Sequence, residues 1–384
     1  MNAVGIVAEY NPFHCGHKYQ LDKVRTLTAH DAVAVVMSGN FVQRGEPAIM
    51  DKWTRAEMAI QSGADLVIEI PTYFCLAEAS SYARAAILLL QGLGCVDTIA
   101  FGSGYGDEKN LRDASDFLRD NSSEIGARIG GLIKEGFNYP RARQLSAEEL
   151  GANDSTIRLL NSPNDALALE YLLAWEGARF AAIKRDEHSA TVLRSMLMKG
   201  EDIRGEVPKC CAEAVYRKYT PRELAEKLQK RAVRLFELAR YAVLERDIDV
   251  MEEAPQGGEG LSNRLKKAAR SATNLDDMIL MTKSKRYTYT RISRFIMQIL
   301  IGIRRKDNIE PERIRVLGFN RRGRILLNYI KKYELNTLPI VTNINKTRSQ
   351  EYFELDIRAT DVYNMIAGRD LRKFSERIMS PIII

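Results

Sequence analysis

Four short apolar runs punctuate the first hundred residues. Ala3–Ala8 (A-V-G-I-V-A), Ala32–Met37 (A-V-A-V-V-M), Asp65–Ile70 (D-L-V-I-E-I) and Cys95–Phe101 (C-V-D-T-I-A-F) are rich in β-branched residues. Near-continuous apolar runs of this length read as strands buried on both faces. Helical periodicity separates them, near 17–29, 52–62, 77–92 and 107–120. Strand and helix in alternation predict a parallel sheet covered on both faces. In such a sheet a ligand binds outside the carboxyl ends of the strands, where the strand order reverses.

From about 121 to 176 the pattern is mostly helical. A strand near 178–183 and a helix from about 189 follow, and Lys199–Pro208 (K-G-E-D-I-R-G-E-V-P) reads as a boundary. Beyond it the pattern is helical to about 250. Ala254–Gly260 (A-P-Q-G-G-E-G) is a loop by composition. Helices are expected near 261–271, 275–282 and 290–303, then strands at Ile314–Phe319 and Leu338–Val341 flanking a helix. The expectation is an α/β domain over 1–200, then a mostly helical region over 201–384 with a small α/β element. There is no internal repeat and no low-complexity tract.

A chain of 384 residues with 45% hydrophobic and 28% charged residues can bury a sizeable core. No apolar run approaches the roughly 18 residues that a membrane span needs. The N-terminus lacks a signal peptide's basic segment and cleavage site. The five cysteines form no C-x-x-C pair, so neither a zinc knuckle nor a disulfide framework is indicated. The expectation is a cytoplasmic protein with no membrane contact and no stable protein partner.

Charge changes the picture more than composition does. Residues 1–200 carry 20 Lys and Arg against 25 Asp and Glu, whereas residues 201–384 carry 37 against 25. Within 260–332 there are 19 basic and 5 acidic residues. A basic region this concentrated reads as the electrostatic footprint of a nucleic-acid partner or, alternatively, as a solvated basic face.

The chain has 4 histidines, and two of them, His14 and His17, stand three apart in A-E-Y-N-P-F-H-C-G-H-K-Y-Q-L (Ala8–Leu21). This segment joins the first predicted strand to the first predicted helix. A helix start carries unpaired N–H groups and a partial positive charge, so it suits phosphate. Asn11 and Pro12 set a turn, and Gly16 lets backbone approach a ligand. Two imidazoles placed there can stabilise charge that builds on phosphate oxygens. The spacing also suits one helix face for zinc, but the distant His188 is the one further ligand apparent, and no resident metal is expected.

A second segment, Lys184–Arg194 (K-R-D-E-H-S-A-T-V-L-R), again runs from a predicted strand into a helix. Ser189 or Thr191 can cap that helix and bond phosphate, with Arg194 one turn in. Alone, S-x-T-x-x-R is weak; beside H-x-G-H it is strong.

These two motifs resemble those of the H-x-G-H nucleotidyltransferase superfamily. Longer stretches resemble one family within it, the bacterial tRNA(Met) cytidine acetate ligases. They are Val7–Gln20 (V-A-E-Y-N-P-F-H-C-G-H-K-Y-Q), Met37–Ala48 (M-S-G-N-F-V-Q-R-G-E-P-A), Asp51–Ala59 (D-K-W-T-R-A-E-M-A) and Gly63–Pro71 (G-A-D-L-V-I-E-I-P). Phe101–Ser103 (F-G-S), Ser162–Asp165 (S-P-N-D), Asn263–Ala269 (N-R-L-K-K-A-A), Lys283–Thr288 (K-S-K-R-Y-T) and Arg315–Asn320 (R-V-L-G-F-N) extend the likeness over almost the whole chain. The chain departs from the family pattern at Cys15, at Gly104 and in a shorter passage from Arg185 to Ser189.

The resemblance implies a Rossmann-like nucleotidyltransferase domain over 1–200 and a tRNA-binding region over 201–384. It implies ATP-dependent ligation of acetate to N4 of the wobble cytidine of elongator tRNA(Met), through acetyl-AMP. It places ATP contacts at Val7, Ala8, Glu9, Tyr10, Asn11, Pro12, Phe13, His14, Cys15, Gly16, His17, Lys18, Tyr19 and Gln20, and at Gly102, Asn164 and Arg185. His14 and His17 are the expected catalytic residues. Ser189, Thr191 and Arg194 are expected to hold the phosphate chain, with Mg2+ accompanying the ATP.

For tRNA, Lys283, Lys285, Arg286, Arg291 and Arg294 are the expected contacts, with Tyr287 and Tyr289 interleaved for stacking. Arg321, Arg322 and Arg324 form a second cluster. Asp22, Lys52, Arg55 and Glu57 read as surface or packing residues without chemistry. Two alternatives stay open: an adenylyltransferase of cofactor synthesis, and a non-enzymatic RNA-binding protein with a relict nucleotide pocket.

Overall fold

The structure, a computed structural model, describes residues 1–105, 107–185, 189–307, 310–346 and 350–384. His188 therefore lies outside the described residues. Ten strands are described: β1 (Ala3–Ala8), β2 (Ala32–Ser38), β3 (Phe41–Val42), β4 (Glu46–Pro47), β5 (Leu66–Ile70), β6 (Val96–Ser103), β7 (Arg179–Lys184), β8 (Ile314–Phe319), β9 (Ile340–Val341) and β10 (Ile382–Ile383). Among the described residues, eight strands form one sheet in the order β10-β8-β5-β2-β1-β6-β7, with β9 also pairing β8, while β3 and β4 form a separate hairpin.

The five strands β5, β2, β1, β6 and β7 are parallel. The chain moves outward from β1 through β2 to β5, then returns to β6 on the other side of β1. The strand order thus reverses between β1 and β6, and the carboxyl ends of that pair open the crevice where such sheets bind ligands.

Strand alternation divides the core. Ala32, Ala34 and Val36 of β2 face one apolar cluster with Leu66 and Ile68. Val33, Val35 and Met37 face the other, with Val4, Ile6 and Val67. The Ala79–Gly92 helix closes the first cluster, and the Cys15–Leu27 and Lys52–Gln61 helices close the second. Both faces being covered explains why the strands lack polar alternation.

The small α/β element joins this same sheet. β8 pairs β5 antiparallel, with Leu66 opposite Phe319 and Glu69 opposite Arg315. The start of β8 therefore lies at the carboxyl end of β5, and its end lies at the amino end of the parallel strands. The helix after it, Arg321–Lys332, begins there.

Buried charge stitches the first 200 residues to the last part of the chain. Lys52 Nζ lies 2.7 Å from Glu69 Oε1 and 2.7 Å from Glu376 Oε2, and Arg315 lies 3.4 Å from Glu376. Burying this many charges is tolerable only because each is paired.

Candidate active site

β1 ends at Ala8, and the next six residues turn the chain into the Cys15–Leu27 helix. Tyr10 adopts a positive φ of 49°, and the Asn11–Pro12 peptide is cis. The turn is held from outside. Asn11 Oδ1 accepts from Ile49 N–H at 2.7 Å, and Arg194 donates to the Asn11 carbonyl at 2.9 Å.

Arg55, buried with no exposed surface, donates to the carbonyls of Glu9 (2.6 Å), Ser38 (3.1 Å), Met50 (3.0 Å) and Gly39. One guanidinium thus ties the loops after β1 and β2 together. Lys52 and Arg55 belong to the interior, whereas Asp22 pairs Lys18 and Glu57 pairs Arg217 on the surface.

His14 caps the helix in extended backbone geometry, and His17 stands one turn in. Their rings stack with centroids 3.7 Å apart. The His14 backbone N–H donates to His17 Nδ1 at 3.2 Å. Tyr10 meets His17 edge-on at 4.8 Å, and Phe13 lies 5.4 Å from it. Burial, then His14, then Arg185 hold the His17 pKa well below the ordinary imidazole value. A neutral imidazole that accepts at Nδ1 carries its proton on Nε2, so His17 is a neutral N–H donor.

Three arginines surround this pair. Arg44, in the turn between β3 and β4, donates to Thr191 Oγ1 at 3.2 Å. Arg194 donates to the same oxygen at 3.2 Å and pairs Glu46 at 3.3 Å. Arg185 donates to Asn164 Oδ1 at 2.7 Å. Burial and then Arg44 lower the Arg185 pKa, so these two cations sense each other. Burial raises Glu9, while Arg44 and Arg194 oppose that and Glu46 adds to it. Clustered cations at a helix start describe a site for a polyanion.

The S-P-N-D segment supplies the floor. Asp165 is fully buried and accepts from the hydroxyls of Ser103 and Ser162 and from Gly104 N–H at 3.1 Å. It anchors the end of β6 beside the end of β1. A Cβ at Gly102 would meet the Arg185 stem at 3.1 Å, so the bare backbone there lets the arginine lie across the strand.

The structure thus gathers Glu9, Tyr10, Asn11, Phe13, His14, His17, Asn164, Arg185, Thr191 and Arg194. Pro12 and Gly16 complete the turn, and Val7 and Ala8 end the strand below it. Cys15 begins the helix with its N–H on the Glu206 carbonyl. Gln20 lies further along the same helix. Lys18 and Tyr19 face away: Lys18 pairs Asp22, and Tyr19 is exposed beneath Lys23. Among the described residues the Ser189 side chain makes no cap bond, so the hydroxyl that engages the cluster is that of Thr191. Arg44 and Asp165 are the site residues that sequence reasoning missed. Both stand inside the quoted motifs, but nothing local marks them as neighbours of Arg185.

The basic residues divide. Lys283 and Lys285 are exposed, and the Lys285 and Lys134 carbonyls accept from Asn138 and Arg286. Arg291 pairs Glu259 at 3.4 Å. Tyr287 is buried, with its hydroxyl on the Glu259 carbonyl, which removes it as a stacking platform. Arg294 is 8% exposed and donates to the Gln43 carbonyl at 3.2 Å. Arg321, Arg322 and Arg324 start the helix at the amino end of the parallel strands, opposite His14.

Among the described residues, no group of three or more His, Cys, Asp and Glu could hold a metal ion, and no helix is long and apolar enough to cross a membrane.

A family model described as HIGH Nucleotidyl Transferase matches residues 1–377. A tRNA(Met) cytidine acetate ligase of Clostridium perfringens is 34% identical over 406 residues, covering 100% of both chains. One from Caldanaerobacter subterraneus subsp. tengcongensis is 36% identical over 391 residues, covering 95% of each. Among solved structures, Thermotoga maritima TmcAL bound with alpha-thio ATP superposes with a TM-score of 0.87 at 31% identity, over 100% of this chain and 99% of that one.

Proposed function

Because the chain belongs to the HIGH nucleotidyl transferases and, within them, to the tRNA(Met) cytidine acetate ligases, we propose that it joins acetate to N4 of the wobble cytidine of elongator tRNA(Met) at the expense of ATP. The observation that carries this reading is the stacked His14–His17 pair at the helix start, ringed by Arg44, Arg185 and Arg194 at the carboxyl end of β1. A carboxylate oxygen of acetate attacks the α-phosphorus of ATP, the bond to the β-phosphate oxygen breaks, and pyrophosphate leaves. His17 Nε2–H and the helix N–H groups stabilise charge on the α-phosphate, while the arginines take the leaving pyrophosphate. Mg2+ accompanying the ATP would supply further charge neutralisation at the phosphates. Glu9 and Glu46, the carboxylates of the cluster, are engaged by Gln43 N–H and by Arg194, so the ion would be held by the ATP phosphates rather than by a protein cage.

The mixed anhydride then meets the cytidine N4. The new C–N bond forms, the acyl C–O bond breaks, AMP leaves, and N4 loses a proton. That amine is a poor nucleophile, so placement supplies much of the rate. The wobble base lies in a single-stranded loop and can be splayed into the crevice. Exposed Lys283 and Lys285, with Arg286 and Arg291, hold the tRNA backbone. Arg321, Arg322 and Arg324 extend the contact. We assign the ATP chemistry to residues 1–200 and tRNA holding to residues 201–384, in the cytoplasm where both substrates are made.

The basic stretch over 260–332 favours this reading over a cofactor adenylyltransferase, whose small substrate needs no such surface. The test incubates the protein with ATP, labelled acetate and bacterial tRNA, then digests the tRNA to nucleosides. Label in N4-acetylcytidine, lost in His14→Ala, is the expected result. ATP turnover that ignores acetate sinks the proposal.

A further inference from the structure

We propose that Arg294 is a positioning residue for the adenylation step, acting through Arg44, and that it is not a tRNA contact; the inference rests on the acetate-ligase reading above. Arg44 sits in the turn of the β3–β4 hairpin, whose strands are two residues each. A hairpin this short is not stable alone, so its tip is placed by whatever braces it.

One brace is the Tyr289–Ile301 helix. Gly45 has φ of 84°, and a Cβ there would lie 2.4 Å from Arg294 N and 2.6 Å from Ser293 C. The turn is therefore pressed onto the helix backbone, which only glycine permits. Ser293 Oγ donates to the Gly45 carbonyl at 2.7 Å, and the Arg294 guanidinium donates to the Gln43 carbonyl at 3.2 Å. These two bonds grip the residues on either side of Arg44.

Arg44 in turn reaches Thr191, which it shares with Arg194. Arg294 itself is 8% exposed, which leaves little of its guanidinium open to a phosphate of a large substrate. Burial pushes its pKa down to about 10, so it remains charged at neutral pH and donates strongly. Arg291, one turn earlier on the same helix, is more open and pairs Glu259. One helix of the basic region thus offers a cation outward while aiming the active-site hairpin with another.

The test measures acetate-dependent ATP–pyrophosphate exchange and tRNA affinity in Arg294→Met, Arg294→Lys, Arg44→Ala and the Arg294→Met/Arg44→Ala double variant. A misplaced catalytic group costs roughly 100-fold. The expected result for Arg294→Met is a fall of about 10–100-fold in exchange kcat, with tRNA affinity changed less than about twofold. Arg294→Lys, which keeps a donor, recovers part of the loss. The double variant is no slower than Arg44→Ala alone, because the two residues act as a unit.

Wild-type exchange together with weakened tRNA binding overturns the proposal, as does a double variant whose losses multiply. Should Arg294→Met fail to fold, Ser293→Ala removes only the grip on Gly45 and must show the same split. If the wild-type protein gives no acetate-dependent exchange, the reaction reading is wrong. The same four variants are then compared in affinity for alpha-thio ATP, where coupling between Arg294 and Arg44 must persist and independent losses overturn the positioning role.

Discussion

The backbone N–H of His14 donates to Nδ1 of His17 at 3.2 Å while the two rings stack at 3.7 Å. The bond fixes the His17 tautomer, because an accepting Nδ1 leaves the proton on Nε2. The Tyr10 and Phe13 rings crowd the same imidazole and shield part of it from water. The H-x-G-H spacing is thereby a device for presenting a neutral N–H donor at a helix start.

Removing that donor has a defined cost. His17→Ala is expected to lower acetate-dependent pyrophosphate exchange by about 100–1000-fold, the range for losing one donor to a developing oxyanion. His17→Asn, which retains an N–H donor, falls less. Equal losses in the two variants, measured by exchange at saturating ATP, argue against the donor role.

The pH profile follows from the sign of the His17 shift. Its pKa in the folded protein lies well below the ordinary 6.5 because of burial, His14 and Arg185. Neutral His17 is the active form, so the rate stays level as pH falls from 8 through 6.5. It declines on the acid side only when pH reaches the depressed value. An acid limb centred near 6.5 in the exchange rate, absent in His17→Asn, contradicts this assignment.

Arg55 supports the site without touching substrate. Arg55→Met leaves buried carbonyls of Glu9, Ser38, Gly39 and Met50 short of a donor. The expected loss is about 3–5 kcal/mol of stability, since each unsatisfied buried group costs about 1–3 kcal/mol and partial relaxation recovers some. Urea unfolding gives the readout, as a lower midpoint with an unchanged slope. A midpoint within error of wild type rules out the clamp.

Salt dependence separates the two basic clusters. Each phosphate contact contributes about one unit to the slope of log affinity against log salt. The Lys283→Ala/Lys285→Ala variant is expected to lose roughly two units and to leave tRNA-free exchange intact. Arg321→Ala/Arg322→Ala lies at the far end of the sheet and is expected to weaken tRNA binding without changing acetylation at saturating tRNA. Filter binding across a salt series gives the slopes. An unaltered slope in the lysine variant removes that cluster from the interface.

The parallel strands were legible because burial on both faces writes itself as an uninterrupted apolar run, as Ala32–Met37 shows. The loop motifs at His14 and Arg194 were legible because they are local in the chain and chemically rare. β8 was recognisable as a strand, but its antiparallel pairing with β5 was not, since a strand's partner leaves no mark on its own residues. Arg44 and Arg55 were hidden for the same reason. Nothing within a turn or helix of either tells that Thr191 or the Glu9 carbonyl will meet it. Tyr287 and Arg294 are buried where exposure was expected, because a basic, aromatic segment reads alike whether it faces solvent or packs inward.

β8 completes an edge that the chain opens long before. β5 is made early, and its outer hydrogen-bonding groups have no strand to meet until Ile314–Phe319 has been synthesised. During that interval the growing chain carries Leu66–Ile70 as a bare, apolar ribbon edge, the kind that pairs with strangers. Production of this protein is therefore expected to be most vulnerable midway through translation. A chain halted before Ile314 is expected to aggregate rather than to persist as a free nucleotide-binding half.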